Sequence, residues 1–417
     1  MRSTFARMAI PIYFGIAFGL FIGCSTLSSS NERHAYGTES AFSKKELQAE
    51  LKKIDHTLAG SQEQEDPELY YQKGYLLSEL AQLEREPANR SVIYREMQHT
   101  LKKAEQLFSQ PEQPEGRMKT DELLKVRWSH EHNQGVEIIQ TDQTLESSDY
   151  KRAAVHFENA TIILPDSVIS YKMKARAHYS NNEPREAIET LEKARRHVEP
   201  IPSLILEQLA FLYLETGQAR KAVEAYEEAE SFSEDNLNLV HGLANAYISV
   251  SNHKKAVELL DLLVEKEPEN IIYAQTRGTE LYLSGAAHID SLISSPNPAD
   301  EITPEAIRVT DSLFEEAETQ LKNVLTSNPD NEELKRTLAF FYKNSAAGYQ
   351  QLAPYVTGDM YKHVIRKTED YLQSSIPHFV ALAREQPADK VLWESLYQAY
   401  TFLGMSQEAE EIKPMVN

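Results

Sequence analysis

The sequence predicts an all-α chain built as an array of antiparallel helix pairs. Small residues recur at fixed intervals. Ala175, Ala210 and Ala244 stand 35 and 34 residues apart, and Ala187, Ala222 and Ala256 repeat the same two intervals. Larger side chains keep register with them: Tyr179, Tyr213 and Tyr247 follow the first set, and Leu191, Tyr226 and Leu260 lie four residues after the second. Two antiparallel helices cross closely only where side chains are small, and bulky neighbours then fill the groove beside the crossing. No stretch alternates with the two-residue period of a strand for long enough to suggest a sheet.

The chain opens on a different pattern. Arg2 and Arg7 give a positive start, and Met8 to Gly23 is uncharged and mostly apolar. That run falls short of the ~20 residues a helix needs to span a bilayer, so it reads as an export signal rather than a permanent anchor. The chain's one cysteine, Cys24, follows directly on Phe21-Ile22-Gly23. This resembles the lipobox of bacterial lipoproteins, with Phe21 standing where leucine is usual. The resemblance implies removal of residues 1–23 and lipidation of Cys24. Ser25, in place of an aspartate, resembles lipoproteins sorted to an outer membrane. Residues 24–42, which include Ser25-Thr26-Leu27-Ser28-Ser29-Ser30-Asn31, read as a flexible tether.

Residues 43–60 read as a capping helix. Ser43 and Glu46 make a capping-box pattern, and Leu47, Leu51, Ile54 and Leu58 form one apolar stripe. Such a helix covers the open end of an array, or else it binds a partner or a second copy of the chain. The array itself is expected over residues 67–417. Tyr70, Gly74 and Leu77 face Met97, Leu101 and Ala104 in a first pair. A long helix around Thr120–Gln140 precedes Ala153, Phe157, Ala160 and the stop at Pro165 in a second. Three well-matched pairs follow, with turn signals at Asn181-Asn182-Glu183-Pro184, Glu215-Thr216-Gly217-Gln218 and Ser251-Asn252-His253 and stops at Glu199-Pro200, Glu234-Asp235 and Pro268. The sixth pair runs from Ile271–Leu283 to Ala317, Leu321, Val324 and Pro329 across an insertion near 284–310, broken at Ser294-Ser295-Pro296-Asn297-Pro298. The seventh runs from Leu338, Ala339 and Tyr342 to Phe379, Leu382 and Pro387 across a second insertion near 345–374, which holds Tyr349, Tyr355, Tyr361 and Tyr371. Those tyrosines are expected mainly to pack the lengthened helices, with interface anchoring as the other reading. Trp393, Leu396, Tyr397, Tyr400, Gly404 and Ala409 form a closing pair, which makes about eight pairs in all.

This spacing of small and large residues resembles the tetratricopeptide repeat, a helix–turn–helix unit, and so implies a superhelical α-solenoid. The resemblance implies a concave groove lined by the first helix of each pair. Helical phase puts Lys172, Arg176 and Tyr179 on that face in the third pair and Glu207, Phe211 and Leu214 in the fourth. Asn238, His241, Asn245 and Ile248 follow in the fifth, and Gln275, Thr279 and Tyr282 in the sixth. Amide and cationic donors suit a peptide backbone or carboxylate, and aromatics suit apolar anchors. Asn245 resembles one asparagine of the clamp by which chaperone-binding relatives hold a terminal carboxylate. The rest of that clamp does not match.

Composition narrows the function. A net charge of −21 repels phosphate backbones, so nucleic acid is not an expected partner. One cysteine precludes an intramolecular disulfide and cysteine-rich metal sites. There is no glycine-rich phosphate loop, no Gly-x-Ser-x-Gly elbow and no His-Glu-x-x-His helix. His130-Glu131-His132 offers no metal site, because residues two apart on a helix point apart, and it reads as solvated surface. No catalytic residue, metal or cofactor is expected. The expectation is a lipid-anchored interaction scaffold of a bacterial envelope, facing the periplasm from the outer membrane, whose partners are other envelope proteins or peptides. Self-association is left open. The alternative is a periplasmic partner of a solute transporter, with a small ligand in an apolar pore lined by Tyr179, Phe211 and Tyr282.

Overall fold

A computed structural model describes residues 43–60, 66–108, 114–140, 144–229 and 236–416. Cys24, the export-signal segment and the tether lie outside them. Among the described residues all regular structure is helical, and it forms eight consecutive helix pairs behind one leading helix. The chain divides into two compact units, one taking in the described residues up to Ala229 and the other those from Asn236 onward.

The first unit begins with α1 (Lys44–Gly60). Ser43 and Glu46 close a reciprocal cap: the Ser43 amide donates to Oε2 at 2.7 Å, and the Glu46 amide donates to Ser43 Oγ at 3.3 Å. Leu47, Leu51 and Ile54 are buried, the first two in one cluster with Leu77, Tyr94, Met97 and Leu101. The apolar stripe is therefore spent inside the chain, at about 1.5–3 kcal/mol for each large side chain removed from water. Four pairs follow: α2 (Pro67–Gln82) with α3 (Pro87–Phe108), α4 (Pro114–Ile139) with α5 (Ser147–Ile163), α6 (Val168–Ser180) with α7 (Pro184–His197), and α8 (Ser203–Glu215) with α9 (Ala219–Glu228). Ala175, Ala187, Ala210 and Ala222 are all fully buried, as close helix crossings require. In the two earlier pairs glycine takes that part. A β-carbon on Gly74 would stand 2.3 Å from the Leu101 side chain, and one on Gly135 2.7 Å from the Phe157 ring.

The second unit holds α10 (Leu237–Ser249) with α11 (His253–Lys266), α12 (Ile271–Ile293) with α14 (Pro304–Ser327), α15 (Glu332–Leu352) with α16 (Gly358–Glu385), and α17 (Lys390–Phe402) with α18 (Ser406–Val416). The short α13 (Pro298–Glu301) lies between α12 and α14. Most of both insertions is thus lengthened helix. The added turns close over an aromatic core in which the Phe314 ring lies 5.8 Å from Tyr282, 5.6 Å from Tyr349 and 6.3 Å from Tyr371. Tyr349 and Tyr371 are buried there and pack the lengthened helices as expected, whereas Tyr355 and Tyr361 stay exposed.

Four of the turns within pairs share one geometry. Asn182, Gly217, Ser251 and Gly404 all adopt positive φ, between 57° and 73°. Each is followed by an amide that reaches back five residues: Glu183 to the His178 carbonyl (2.9 Å), Gln218 to Tyr213 (2.7 Å), Asn252 to Tyr247 (2.9 Å) and Met405 to Tyr400 (2.9 Å). This left-handed helix stop satisfies carbonyls that the helix end leaves free. It reverses the chain tightly enough for the second helix to lie back on the first.

Candidate functional site

The inward phase of the first helices can be followed within each unit. In the first unit, α6 presents Ile169, Lys172, Arg176 and Tyr179, and α8 presents Leu204, Glu207, Phe211 and Leu214, all spaced one helical turn apart. The two helices meet along this face, where the Tyr179 and Phe211 rings stand edge to face at 5.7 Å. Ile169 and Leu204 are both 37% exposed at the helix starts. Lys172 is only 6% exposed, and no hydrogen bond or ion pair joins it to a described residue. Glu207 is half-buried and likewise without a described partner, and burial raises its carboxyl pKa. Beside it Gln208 is fully buried, with both amide atoms unpartnered.

In the second unit, Asn238 is exposed while His241 and Asn245 are partly buried and in contact. Asn245 Nδ2 lies 2.9 Å from His241 Nε2, and the imidazole packs 5.6 Å from the Tyr273 ring. Burial pushes the His241 pKa down, which leaves a neutral ring with Nδ1 unpartnered. Gln275 is partly buried, and Thr279 spends its hydroxyl on the Gln275 carbonyl at 3.0 Å. Tyr282 is 9% exposed, and burial raises its hydroxyl to about 12. It stacks on Phe314 and meets Phe341 edge to face, so it serves the aromatic core rather than an open groove. That is a correction to its expected role, and the lengthened α14 and α15 are the reason.

A second correction concerns His130, Glu131 and His132, which are not solvated surface. Glu131 is fully buried on α4 and accepts from Arg90 (3.0 Å), Tyr94 (2.9 Å), His156 (2.7 Å) and Asn159 (3.3 Å). Burial alone would raise its carboxyl pKa, but the His156 and Arg90 contacts outweigh it and hold the group below the usual range. His132 stacks on Trp128 at 5.3 Å and touches Ser170 Oγ at 3.0 Å, and burial lowers its pKa to about 4. Helices α3, α5 and α6 cover α4 on several sides, so side chains two residues apart are both enclosed. The sequence offers one sign of this: α4 lacks the single apolar stripe of a half-exposed helix.

An open cleft of about 690 Å³ in the first unit is bordered by Lys174, Glu189, Lys193, Arg196 and Lys221 among others. Lys174 and Lys193 both hold the Glu158 carboxylate, at 2.6 and 3.0 Å, and its pKa falls to about 2 against the opposing effect of burial. Most of the lining side chains are charged, and Ile188, Thr190 and Tyr213 lie among them. Among the described residues no group of three or more histidine, cysteine or carboxylate side chains is placed to hold a metal, and no helix is long and apolar enough to cross a membrane.

Paired helices, recurrent small-residue crossings and a repeated first-helix face define a helical-repeat protein. Residues 213–278 match the tetratricopeptide repeat family profile, from the end of α8 into α12, so this segment carries tetratricopeptide repeats. No curated protein matches the sequence. Among solved structures, MamA of MSR-1 aligns at 20% identity over 50% of this chain and 97% of its own, with a TM-score of 0.31. MamA of AMB-1 aligns at 20% over 53% and 92%, with a TM-score of 0.34. A human IFIT1 dimer with m7Gppp-AAAA aligns at 14% over 90% and 95%, with a TM-score of 0.29. Scores this low carry no inference about ligand or partner.

Proposed function

We propose that this chain is a non-catalytic protein-interaction scaffold, exported and lipid-anchored through Cys24 in a bacterial envelope, that binds partner polypeptides on its first-helix faces. The observation that supports it most is the face of α6 and α8. There, aliphatic, aromatic and charged side chains recur at equivalent repeat positions, with Ile169 and Leu204 exposed at the helix starts, while the small residues of the same helices are consumed by the core. Lipid anchoring rests on the sequence around Cys24 and the serine-rich tether, and an outer-membrane destination on Ser25. A single acyl chain binds a membrane only marginally, so the multiply acylated terminus of a lipoprotein is the anchor that fits.

Crosslinking the tagged chain in its own membranes and identifying co-purified proteins by mass spectrometry tests the scaffold. Envelope proteins recovered with the wild type and lost with Lys172→Glu/Arg176→Glu support it. Recovery unchanged by the substitutions moves the site elsewhere, and no protein partner at all overturns the reading. Cys24→Ser is expected to shift the chain from the membrane fraction to the soluble periplasm, and a variant that stays in the membrane fraction refutes the lipid anchor.

A further inference from the structure

Opposite charges on α6 and α8 stand unmatched at the same repeat position, 35 residues apart. Elsewhere in the first unit buried or half-buried cations are matched. Arg90 pairs with Glu131, Arg127 with Glu79, Lys73 with Asp55 and Glu96, Lys119 with Glu68, and Lys174 and Lys193 with Glu158. Lys172 is more buried than most of these and has no such partner among the described residues, nor has Glu207. An ion pair formed at a partly desolvated position is stronger than one in open water, so a ligand that supplies the missing counter-charges gains affinity and register there.

The surroundings say what kind of ligand. Along α6 the face runs from Ile169 to Tyr179, a rise of about 15 Å, with Leu204 beside its start and the Tyr179–Phe211 pair and Leu214 at its far end. Apolar side chains therefore flank a charged stretch in which Arg176 follows Lys172 by one turn. Lys172 and Glu207 stand at the same position of successive first helices, so they call for opposite charges on one and the same ligand. An extended polypeptide provides this with two side chains of opposite sign on one segment. Nucleic acid supplies no cation for Glu207.

Resting on the scaffold reading above, we propose that the α6–α8 face takes a partner polypeptide segment bearing an acidic and a basic side chain, the acid on Lys172 and the base on Glu207, with apolar side chains flanking the pair. The pair sets register, and the flanking apolar groups supply most of the affinity.

The test is to pan a random peptide library on phage against the full chain held in detergent. The expected consensus places Asp or Glu and Lys or Arg between aliphatic or aromatic residues. A selected peptide loses at least about tenfold in affinity on Lys172→Glu, and a peptide with its two charges exchanged recovers binding on Lys172→Glu/Glu207→Lys. Lys172→Met and Glu207→Gln, which keep side-chain size, serve if the reversals do not fold, and each is expected to weaken the wild-type peptide. Peptides lost on Tyr179→Ala/Phe211→Ala but indifferent to all the charge substitutions would overturn the charge-pair inference and leave the scaffold reading standing. Selected peptides indifferent to every one of these substitutions, or no selected peptide at all, would overturn both.

Discussion

Buried polar side chains carry much of the specificity in the first unit, and Glu131 is the clearest case. Four donors from two helices converge on one carboxylate that no water reaches, so its removal strands Arg90 and His156. Glu131→Ala is expected to destabilise the chain by about 3–5 kcal/mol, measured by urea unfolding, and Glu131→Gln by less. His132 sets a pH dependence. Its pKa is about 4 in the fold against about 6.5 when unfolded, so between those values the unfolded state holds the extra proton. Stability is full above pH 6.5 and falls as pH drops toward 4, by up to roughly 1.4 kcal/mol per pH unit for this one group. His130, His241 and His378, also lowered by burial, act in the same direction. Unfolding titrations of the wild type and His132→Phe across that window check it, and parallel curves would refute it. None of this was legible beforehand, because the partners of Glu131 lie 25 to 41 residues away and nothing local marks them.

At the scale of the element, helix starts, stops and crossings follow local chemistry. Asn236, Asn252, Asn331 and Asp389 each cap the following helix through a side-chain oxygen. The stops at Asn182, Gly217 and Ser251 fall inside the turns that the sequence marks. Ser251 holds the left-handed conformation without being glycine, so Ser251→Gly is expected to stabilise the second unit by about 0.5–1 kcal/mol; a loss in denaturant midpoint would contradict this. Gly135 allows α4 to approach Phe157, and Gly135→Val is expected to cost about 1–3 kcal/mol through overpacking, visible as a lowered thermal midpoint. The extra length of α12, α14, α15 and α16 was legible only as insertion. Whether such a stretch becomes loop or helix depends on whether another lengthened helix arrives to cover it, and here the neighbouring pair provides one.

Across the whole molecule, repeat spacing by itself determined the all-α class, the eight pairs, their order and the turn positions. Those features depend on contacts between residues close in the chain, and closely crossing helices leave a periodic trace of small residues. The candidate binding positions were legible as phase, since a first helix shows the same face in every pair. Which of them remain available was decided only by tertiary structure. Tyr282 is taken into an aromatic core by helices that begin 22 and 50 residues later, whereas Lys172 and Glu207 have no described partner. Burial and charge matching are set by what packs against a side chain from far along the chain, and that information is not periodic. A sequence therefore states where a repeat protein presents its faces. The fold decides which side chains on them are still free to meet something else.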